Sequence, residues 1–365
     1  MAALKAAYQR LRDEFRTHSG VAAELASGAG LWALVVGFCV WAFLQERDAF
    51  VVGVVTGSVF ALGAIGLTLI YGVLKFGHFA HGDSMMLGAY VAFFLLTGVT
   101  IGKRPGLDTE ALPVGLNDLP GATSEIWHFS FGYGLLLAMV IAAVLMALLF
   151  MGLEYGVYRP LRRRKSGIVI FSIASLGLAL VIRSLMLIVW GADQRSYSQG
   201  LRSTIDLPFG ILIRYDQLFI LGVAFVVVAL VYLLLFRTKL GKAMRAMADN
   251  PDLALISGIN TNQIVVWTWA IAGALVAVAG VMLALQAQLD PQLGFVILLP
   301  LFAGAIAGGI GSPQGALVGG FLIGIVQEVA VTFDFLSPGY KFSVAFVVLI
   351  LILLVRPRGL FGTKV

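Results

Sequence analysis

A succession of long apolar runs constrains this sequence more than any other feature. A helix needs about 20 apolar residues to cross the hydrocarbon core of a bilayer. With 60% hydrophobic and only 12% charged residues, the chain lacks the charge that the surface of a soluble domain requires. The runs lie at residues 31–44, 49–74, 85–101, 131–155, 168–190, 217–236, 264–286, 294–310, 315–331 and 342–355.

Four of these runs are shorter than a straight crossing needs, namely 31–44, 294–310, 315–331 and 342–355. They are expected to be tilted, extended by flanking residues, or broken. The sequence therefore predicts an all-α integral membrane protein, a polytopic helix bundle of about 8–10 transmembrane segments with broken or short helices.

Two basic clusters predict the orientation of this bundle. They are "YRPLRRRK" at 158–165 and "FRTKLGKAMRAMADNP" at 236–251. Two apolar runs separate the clusters, so both fall on one side, which the positive-inside rule assigns to the cytoplasm. Counting outwards from them, we expect a multi-pass membrane protein with both termini cytoplasmic. Topology, rather than nucleic-acid binding, then explains the net charge of +6.

The first residues differ in character from the rest. Leu4, Tyr8, Leu11 and Phe15 recur at helical spacing among basic residues, which predicts an amphipathic helix lying on membrane lipids. We therefore divide the chain into a cytoplasmic or interfacial extension, 1–30, and a transmembrane domain, 31–365. A partly ordered, solvated tail is the alternative for the extension.

Glycine is abundant within the apolar runs. Four pairs have the spacing that lets transmembrane helices approach closely, namely Gly53/Gly57, Gly304/Gly308, Gly315/Gly319 and Gly320/Gly324. Repetition of this spacing predicts a densely packed bundle of the kind found in transporters and channels.

The chain lacks the motifs of the common nucleotide-binding and hydrolytic sites. It contains no GxxxxGK[ST] phosphate loop, no HExxH and no CxxC. We therefore expect a protein that is not an enzyme and has no cofactor bound to this chain. Ionisable residues within the apolar runs are few, chiefly Arg183, Glu154 and Glu328, and this scarcity argues against a proton-coupled carrier. Arg183 is expected to snorkel or to pair with a neighbouring helix, with contact to a substrate carboxylate as the alternative.

The segment 241–257 on the basic side predicts a short amphipathic helix that Pro251 ends at Asn250, followed by a second helical stretch up to Gly258. It either docks into a partner or rests on the headgroups. Methionine suits a docking surface because its side chain repacks readily. The apolar face comprises Ala243, Met244, Met247 and Ala248, and the opposite face comprises Lys242, Arg245 and Asp249.

The stretch "LKFGHFAHGDSMMLGAY" at 74–90 interrupts the apolar runs with polar residues. A metal site is one interpretation of His78 and His81, although no further histidine or cysteine cluster completes a ligand set. A second is a tight turn in which Gly77 and Gly82 supply unusual backbone angles and Asp83 caps the helix that begins at Ser84. A third is a gate near the cytoplasmic mouth, because non-helical backbone at membrane depth is tolerated only inside protein or along a water-filled cavity.

The stretch "GAIAGGIGSPQGALVGG" at 304–320 allows two similar interpretations. Gly308, Gly309 and Gly311 disfavour a continuous helix, and Pro313 is suited to the first turn of the next one. The stretch is either a plain helical hairpin or part of a gating or substrate site.

Several stretches together carry a resemblance to a known family. They are "GLTLIYGVLKFGHFAHGDSMMLGAY", "VYRPLRRRKSGIVIFSIASLGLAL", "RTKLGKAMRAMADNPDLALISGIN", "AGAIAGGIGSPQGALVGGFLIGIVQE" and the terminal "RPRGLFG". Over roughly residues 50–362 the sequence resembles the LivH-type permeases of branched-chain amino acid ABC importers.

The resemblance implies that this chain lies in a bacterial inner (plasma) membrane and carries leucine, isoleucine or valine into the cytoplasm. Urea, short amides or other amino acids are alternative substrates, and an ATP-independent channel or secondary transporter is an alternative mechanism. The implied partners are a LivM-type second permease, two LivG/LivF-type ATPases that bind ATP and Mg²⁺, and a periplasmic substrate-binding protein.

The resemblance also implies roles for particular residues. The coupling motif of the family falls on Lys242 to Gly258, including Asn250. Phe60 and Tyr71 are candidates for lining the substrate pathway at the interface with the second permease. Two departures stand out: the N-terminal extension exceeds the family's length, and His78 replaces the family's usual asparagine.

Overall fold

The fold is described here from a computed structural model. It describes residues 28–98, 115–197, 203–207, 210–334, 336–357 and 359–361. The amphipathic helix expected within the first 16 residues lies outside these ranges.

Each predicted apolar run coincides with a helix, which confirms the all-α membrane architecture. The helices are α1 (Gly28–Gln45), α2 (Arg47–Leu74), α3 (His81–Thr97), α4 (Tyr133–Leu153), α5 (Arg159–Arg163), α6 (Ile168–Trp190), α7 (Tyr215–Arg237), α8 (Lys239–Asp249), α9 (Pro251–Ile256), α10 (Thr261–Gln286), α11 (Leu293–Gly308), α12 (Pro313–Ala330) and α13 (Lys341–Val355).

Short elements complete the fold. A π-helical turn, Glu154–Tyr158, joins α4 to α5, and 3₁₀ turns occupy Leu116–Asp118 and Pro338–Tyr340. The strands β1 (Thr204–Leu207) and β2 (Ile211–Arg214) form an antiparallel hairpin before α7.

Within the described residues, seven helices are long and apolar enough to cross a membrane. They are α2, α4 with its continuation through α5, α6, α7, α10, α12 and the last helix with its 3₁₀ turn. The apolar helices α1 and α11 are shorter, as two of the four short runs predict, whereas the other two, 315–331 and 342–355, lie in helices long enough to cross. Most of α2, α10 and α12 is buried, whereas α6, α7 and α13 expose apolar side chains, as expected of helices that face lipid or another subunit.

Helices α2 and α12 meet with almost no side chain between their backbones. A Cβ atom added to Gly53 would lie 2.7 Å from the Ile325 Cα, and one added to Gly57 would lie 2.8 Å from the Phe321 Cα. Gly320 faces Ala61 in the same way. The small-residue spacing therefore marks real helix contacts, and the prediction of dense packing is confirmed.

The connection after α6 lies at the end of the bundle away from the basic clusters. The Tyr197 hydroxyl donates a hydrogen bond of 2.9 Å to the Ala89 carbonyl on α3, and Arg195 pairs with Leu289 through backbone hydrogen bonds. Burial, and to a lesser extent the neighbouring Tyr90, raises the pKa of the Tyr197 phenol well above its usual range. The hydrogen bond from this phenol fixes the connection to α3.

Candidate functional site

The chain turns back into the protein interior after α2. This helix ends at Leu74, and Lys75 adopts a left-handed conformation with φ 61°. Residues 75–80 then return along α2 until the His81 Nε2 lies 2.9 Å from the Gly63 carbonyl oxygen. Gly63 precedes Leu74 by eleven residues (74 − 63), which is about 16 Å along a helix. The helix α3 therefore begins deep in the bundle, and we call 75–80 the re-entrant segment.

His78, at the centre of the re-entrant segment, is enclosed by aromatic rings. Its ring centroid lies 5.1 Å from that of Trp269, 5.7 Å from that of Phe150 and 5.9 Å from that of Tyr158. The side chain is fully buried, and neither ring nitrogen has a hydrogen-bond partner. An unsatisfied buried polar group is costly, so His78 is held here by packing rather than by polar contacts.

A metal site finds no geometric support among the described residues, since no three His, Cys, Asp or Glu side chains come together. The predicted turn is wrong in two details. The helix α3 begins at His81, with no side-chain cap, so Asp83 lies within its first turn. Gly77 and Gly82 do not adopt a positive φ. Gly82 is needed instead for close approach, because a Cβ atom there would collide with the Gly294 carbonyl at the start of α11.

Asp83 forms an ion pair with Arg183 across 100 residues of sequence. The Arg183 Nε and Nη2 atoms each lie 2.9 Å from an Asp83 carboxylate oxygen, and the guanidinium also lies over the Phe295 ring at 4.6 Å. Asp83 is fully buried, whereas the Arg183 side chain is 15% exposed. Arg183 therefore pairs with a neighbouring helix, as one of its interpretations predicts. The two groups neutralise each other's charge within the membrane through this bidentate contact.

The predicted docking segment forms two short capped helices. The Thr238 hydroxyl accepts a hydrogen bond from the Gly241 amide at the start of α8, and the Asn250 side chain accepts one from the Leu253 amide in α9. Pro251 begins α9, and Gly258, with φ 83°, follows its end. The break between the two helices lies where Pro251 predicts it, but α8 begins at Lys239, two residues before the predicted start at Gly241.

Burial reverses the role expected for the two methionines. Met244 and Met247 are buried against the bundle of their own chain, so they cannot contact a partner, while Ala243 is half-buried. The helix α8 is amphipathic, as predicted, but its apolar face packs on the core of its own chain and not on a partner. The exposed surface, which we call the docking face, comprises Lys242, Arg245, Asp249, Asn250, Leu253, Leu255 and Ile256.

One hydrogen bond joins α8 to the re-entrant segment. The Lys75 Nζ lies 2.6 Å from the Ala248 carbonyl oxygen near the end of α8. Sequence reasoning missed this contact because the two residues are 173 positions apart. The one available signal was a lysine directly after a long apolar run, because a lysine at a helix end can reach nearby backbone carbonyls.

The glycine-proline stretch forms a tight helical hairpin. The helix α11 ends at Gly308. The next residue, Gly309, has a positive φ of 116°, and Gly311 has a positive φ of 88°. Pro313 then begins α12 after Ser312. The plain hairpin interpretation is therefore correct for its local structure.

The two candidates for lining a substrate pathway differ. Phe60 is 2% exposed within the core of this chain, so it cannot line a pathway at an interface with another subunit, and that expectation is wrong. Tyr71, near the end of α2, is half-buried. A phenylalanine in a long apolar run gives no sign of which face of the helix it occupies, since every side of a central helix is apolar.

Known proteins match this chain over nearly the whole helical bundle. The profile of the family described as "Branched-chain amino acid transport system / permease component" matches residues 49–353. The high-affinity branched-chain amino acid transport system permease protein BraD of Pseudomonas aeruginosa is 32% identical over 88% of this chain and 97% of its own length. The corresponding LivH protein of Escherichia coli strain K12 is 30% identical over 88% of this chain and 96% of its own length. No solved structure matches the chain significantly.

Proposed function

The chain belongs to the permease family of branched-chain amino acid transport systems, and from that premise we propose that it carries leucine, isoleucine or valine across the inner membrane into the cytoplasm. The proposal includes a second permease, two ATPases that bind ATP and Mg²⁺, and a periplasmic binding protein. The two basic clusters support this orientation, with α8 and both termini on the cytoplasmic side.

The observation that carries the mechanism is the hydrogen bond between Lys75 and the Ala248 carbonyl, 2.6 Å long. It connects a short helix at the membrane surface with a non-helical segment that reaches the middle of the bundle. When an ATPase displaces α8, Lys75 draws the re-entrant segment with it. Lys75 ends α2 in a left-handed conformation. The chain can therefore bend at the same residue that is hydrogen-bonded to α8.

The deep end of the re-entrant segment is where this movement changes access to the pathway. Phe79, in this segment, is 37% exposed and its ring lies 5.3 Å from that of Phe302 on α11. Phe295, two helical turns before Phe302, covers Arg183. These aromatic side chains form an exposed apolar strip beside the ion pair, and we propose that the strip faces the substrate pathway. Its apolar character suits aliphatic side chains.

The docking face supplies the contact with the ATPases. Leu255 is 58% exposed and Ile256 is 81% exposed, and Lys242 and Arg245 on the preceding helix α8 add exposed cationic side chains. An exposed apolar patch with a polar rim on a short helix is typical of a protein interface.

The test is ATP-dependent uptake of labelled leucine by proteoliposomes that contain the complete transporter. Lys75→Gln should retain ATPase binding and hydrolysis but reduce uptake several-fold, since a hydrogen bond of a charged group at an exposed site is worth about 0.5–1 kcal/mol. Ile256→Asp should release the ATPases. Leu212→Asp is the matched control, because Leu212 is 57% exposed on the hairpin at the opposite end of α7 from α8.

Uptake by this chain without nucleotide would instead support a channel or secondary transporter. Uptake of urea, short amides or other amino acids in preference to leucine would correct the substrate while leaving the coupling proposal intact. Equal losses of ATPase binding for Ile256→Asp and Leu212→Asp would show that the docking face is wrongly placed.

A further inference from the structure

A pocket lies at the basic end of the bundle, apart from the re-entrant segment. It has a volume of about 310 Å³ and opens between the π-helical turn after α4 and the first turns of α10. A π-helical turn widens a helix locally and often marks a functional site. The transport mechanism proposed above does not use this pocket.

The polar wall of the pocket favours an anion. Arg159 lines it, with its guanidinium 5.2 Å from the centroid of the Tyr155 ring. Glu154 also lines the pocket, but its carboxylate is paired with Arg162, so Arg159 contributes an excess positive charge. Asn262 and Gln263 add exposed side-chain amides in the first turn of α10, where the helix dipole is positive.

The rim of the pocket is apolar and aromatic. Tyr155 is 52% exposed and Trp267 is 53% exposed, and such amphipathic rings are enriched where a membrane meets water. From this rim an exposed apolar track runs along α4 towards the bilayer centre, through Leu148, two turns before Tyr155 and 54% exposed. The pocket therefore joins an anion-attracting wall to a surface suited to hydrocarbon chains.

We propose that this pocket binds the headgroup of an anionic phospholipid, with the phosphate at Arg159 and the amides of α10 and the acyl chains along α4. The nearby exposed run Arg163, Arg164 and Lys165 raises the local concentration of anionic lipid. A free phosphate ion shares the headgroup chemistry but leaves the apolar track unused.

The experiment is native mass spectrometry of the delipidated, detergent-solubilised protein titrated with phosphatidylglycerol or phosphatidylethanolamine. We expect phosphatidylglycerol to bind more tightly. Arg159→Gln should weaken that binding by about fivefold or more. Arg164→Gln removes the same charge from the exposed cluster outside the pocket and should change it by less than about twofold, because an exposed charge is screened.

A second variant tests the apolar rim of the pocket without changing the charge of the protein. Trp267→Ala should weaken the binding of both lipids, since it removes apolar surface at the rim, and thermal unfolding in detergent checks that each variant remains folded. Equal binding of the two lipids, or equal losses for Arg159→Gln and Arg164→Gln, would overturn the proposal. So would an increase in thermal stability with inorganic phosphate that matches the increase with phosphatidylglycerol and depends on Arg159, because the site would then be one for free anions.

Discussion

Arg183 on α6 and Asp83 on α3 are joined by two parallel hydrogen bonds of 2.9 Å each. The carboxylate is fully buried, and the guanidinium is shielded on one side by Phe295. The pair therefore ties the peripheral helix α6 to the deep N-terminal end of α3, where the re-entrant segment ends.

Breaking this ion pair should be costly. Arg183→Gln leaves a buried carboxylate without its cation, and we expect a loss of about 3 kcal/mol, partly offset by protonation of Asp83. The thermal midpoint of the purified protein should fall accordingly. The double variant Arg183→Gln/Asp83→Asn restores charge neutrality and should recover part of the loss. Additive effects of the two single changes would contradict a direct pairing.

The contact between α2 and α12 predicts a strict requirement for glycine. Gly57→Ala places a methyl group against the backbone of Phe321 and should destabilise the protein by about 1–3 kcal/mol. The control is Gly222→Ala on α7, where nothing lies within 4 Å of an added Cβ. That change should be neutral or stabilising by up to about 1 kcal/mol, because alanine favours helix. Thermal unfolding of both variants in one detergent makes the comparison.

His78 offers a test that separates stability from transport. Replacing it with phenylalanine removes two buried nitrogens that have no hydrogen-bond partner and keeps an aromatic ring in contact with the surrounding aromatic side chains. We expect His78→Phe to stabilise the resting protein by about 1–3 kcal/mol and to slow leucine uptake, since an imidazole gains hydrogen bonds only when the segment moves. Unchanged uptake would show that the imidazole is a packing group alone.

Ile256→Asp should also leave the permease itself intact. The side chain is 81% exposed, and surface substitutions usually alter stability by less than about 0.5 kcal/mol. An unchanged thermal midpoint combined with loss of the ATPases on size-exclusion chromatography is the expected result. A fall in the midpoint would place Ile256 in the fold of this chain rather than in an interface.

Sequence reasoning located the helices well because lipid imposes a simple rule: each crossing must be long, apolar and internally hydrogen-bonded. It also found the break between α8 and α9, where Asn250 and Pro251 act through neighbouring backbone atoms, although it missed Thr238, which caps the start of α8. These signals are local, so they can be read from a single stretch of sequence.

The errors arose where the deciding partner is distant along the chain. Asp83 fits a helix cap by its local sequence, but Arg183 reaches it from 100 residues away. Met244 fits a docking surface, but the core of the same protein covers it. In a membrane bundle nearly every helix face is apolar, so hydrophobicity alone cannot separate the face that meets lipid, the core or another subunit.

The glycine contact between α2 and α12 has a consequence for how the molecule moves. Sliding one helix past the other by a single residue would bring a residue with a side chain to the place of Gly57, where even a Cβ atom would lie 2.8 Å from the Phe321 Cα. The two helices must therefore travel as one rigid body through the transport cycle. Alternating access is left to elements that can bend or rotate against this body, and in the proposed mechanism the re-entrant segment is such an element.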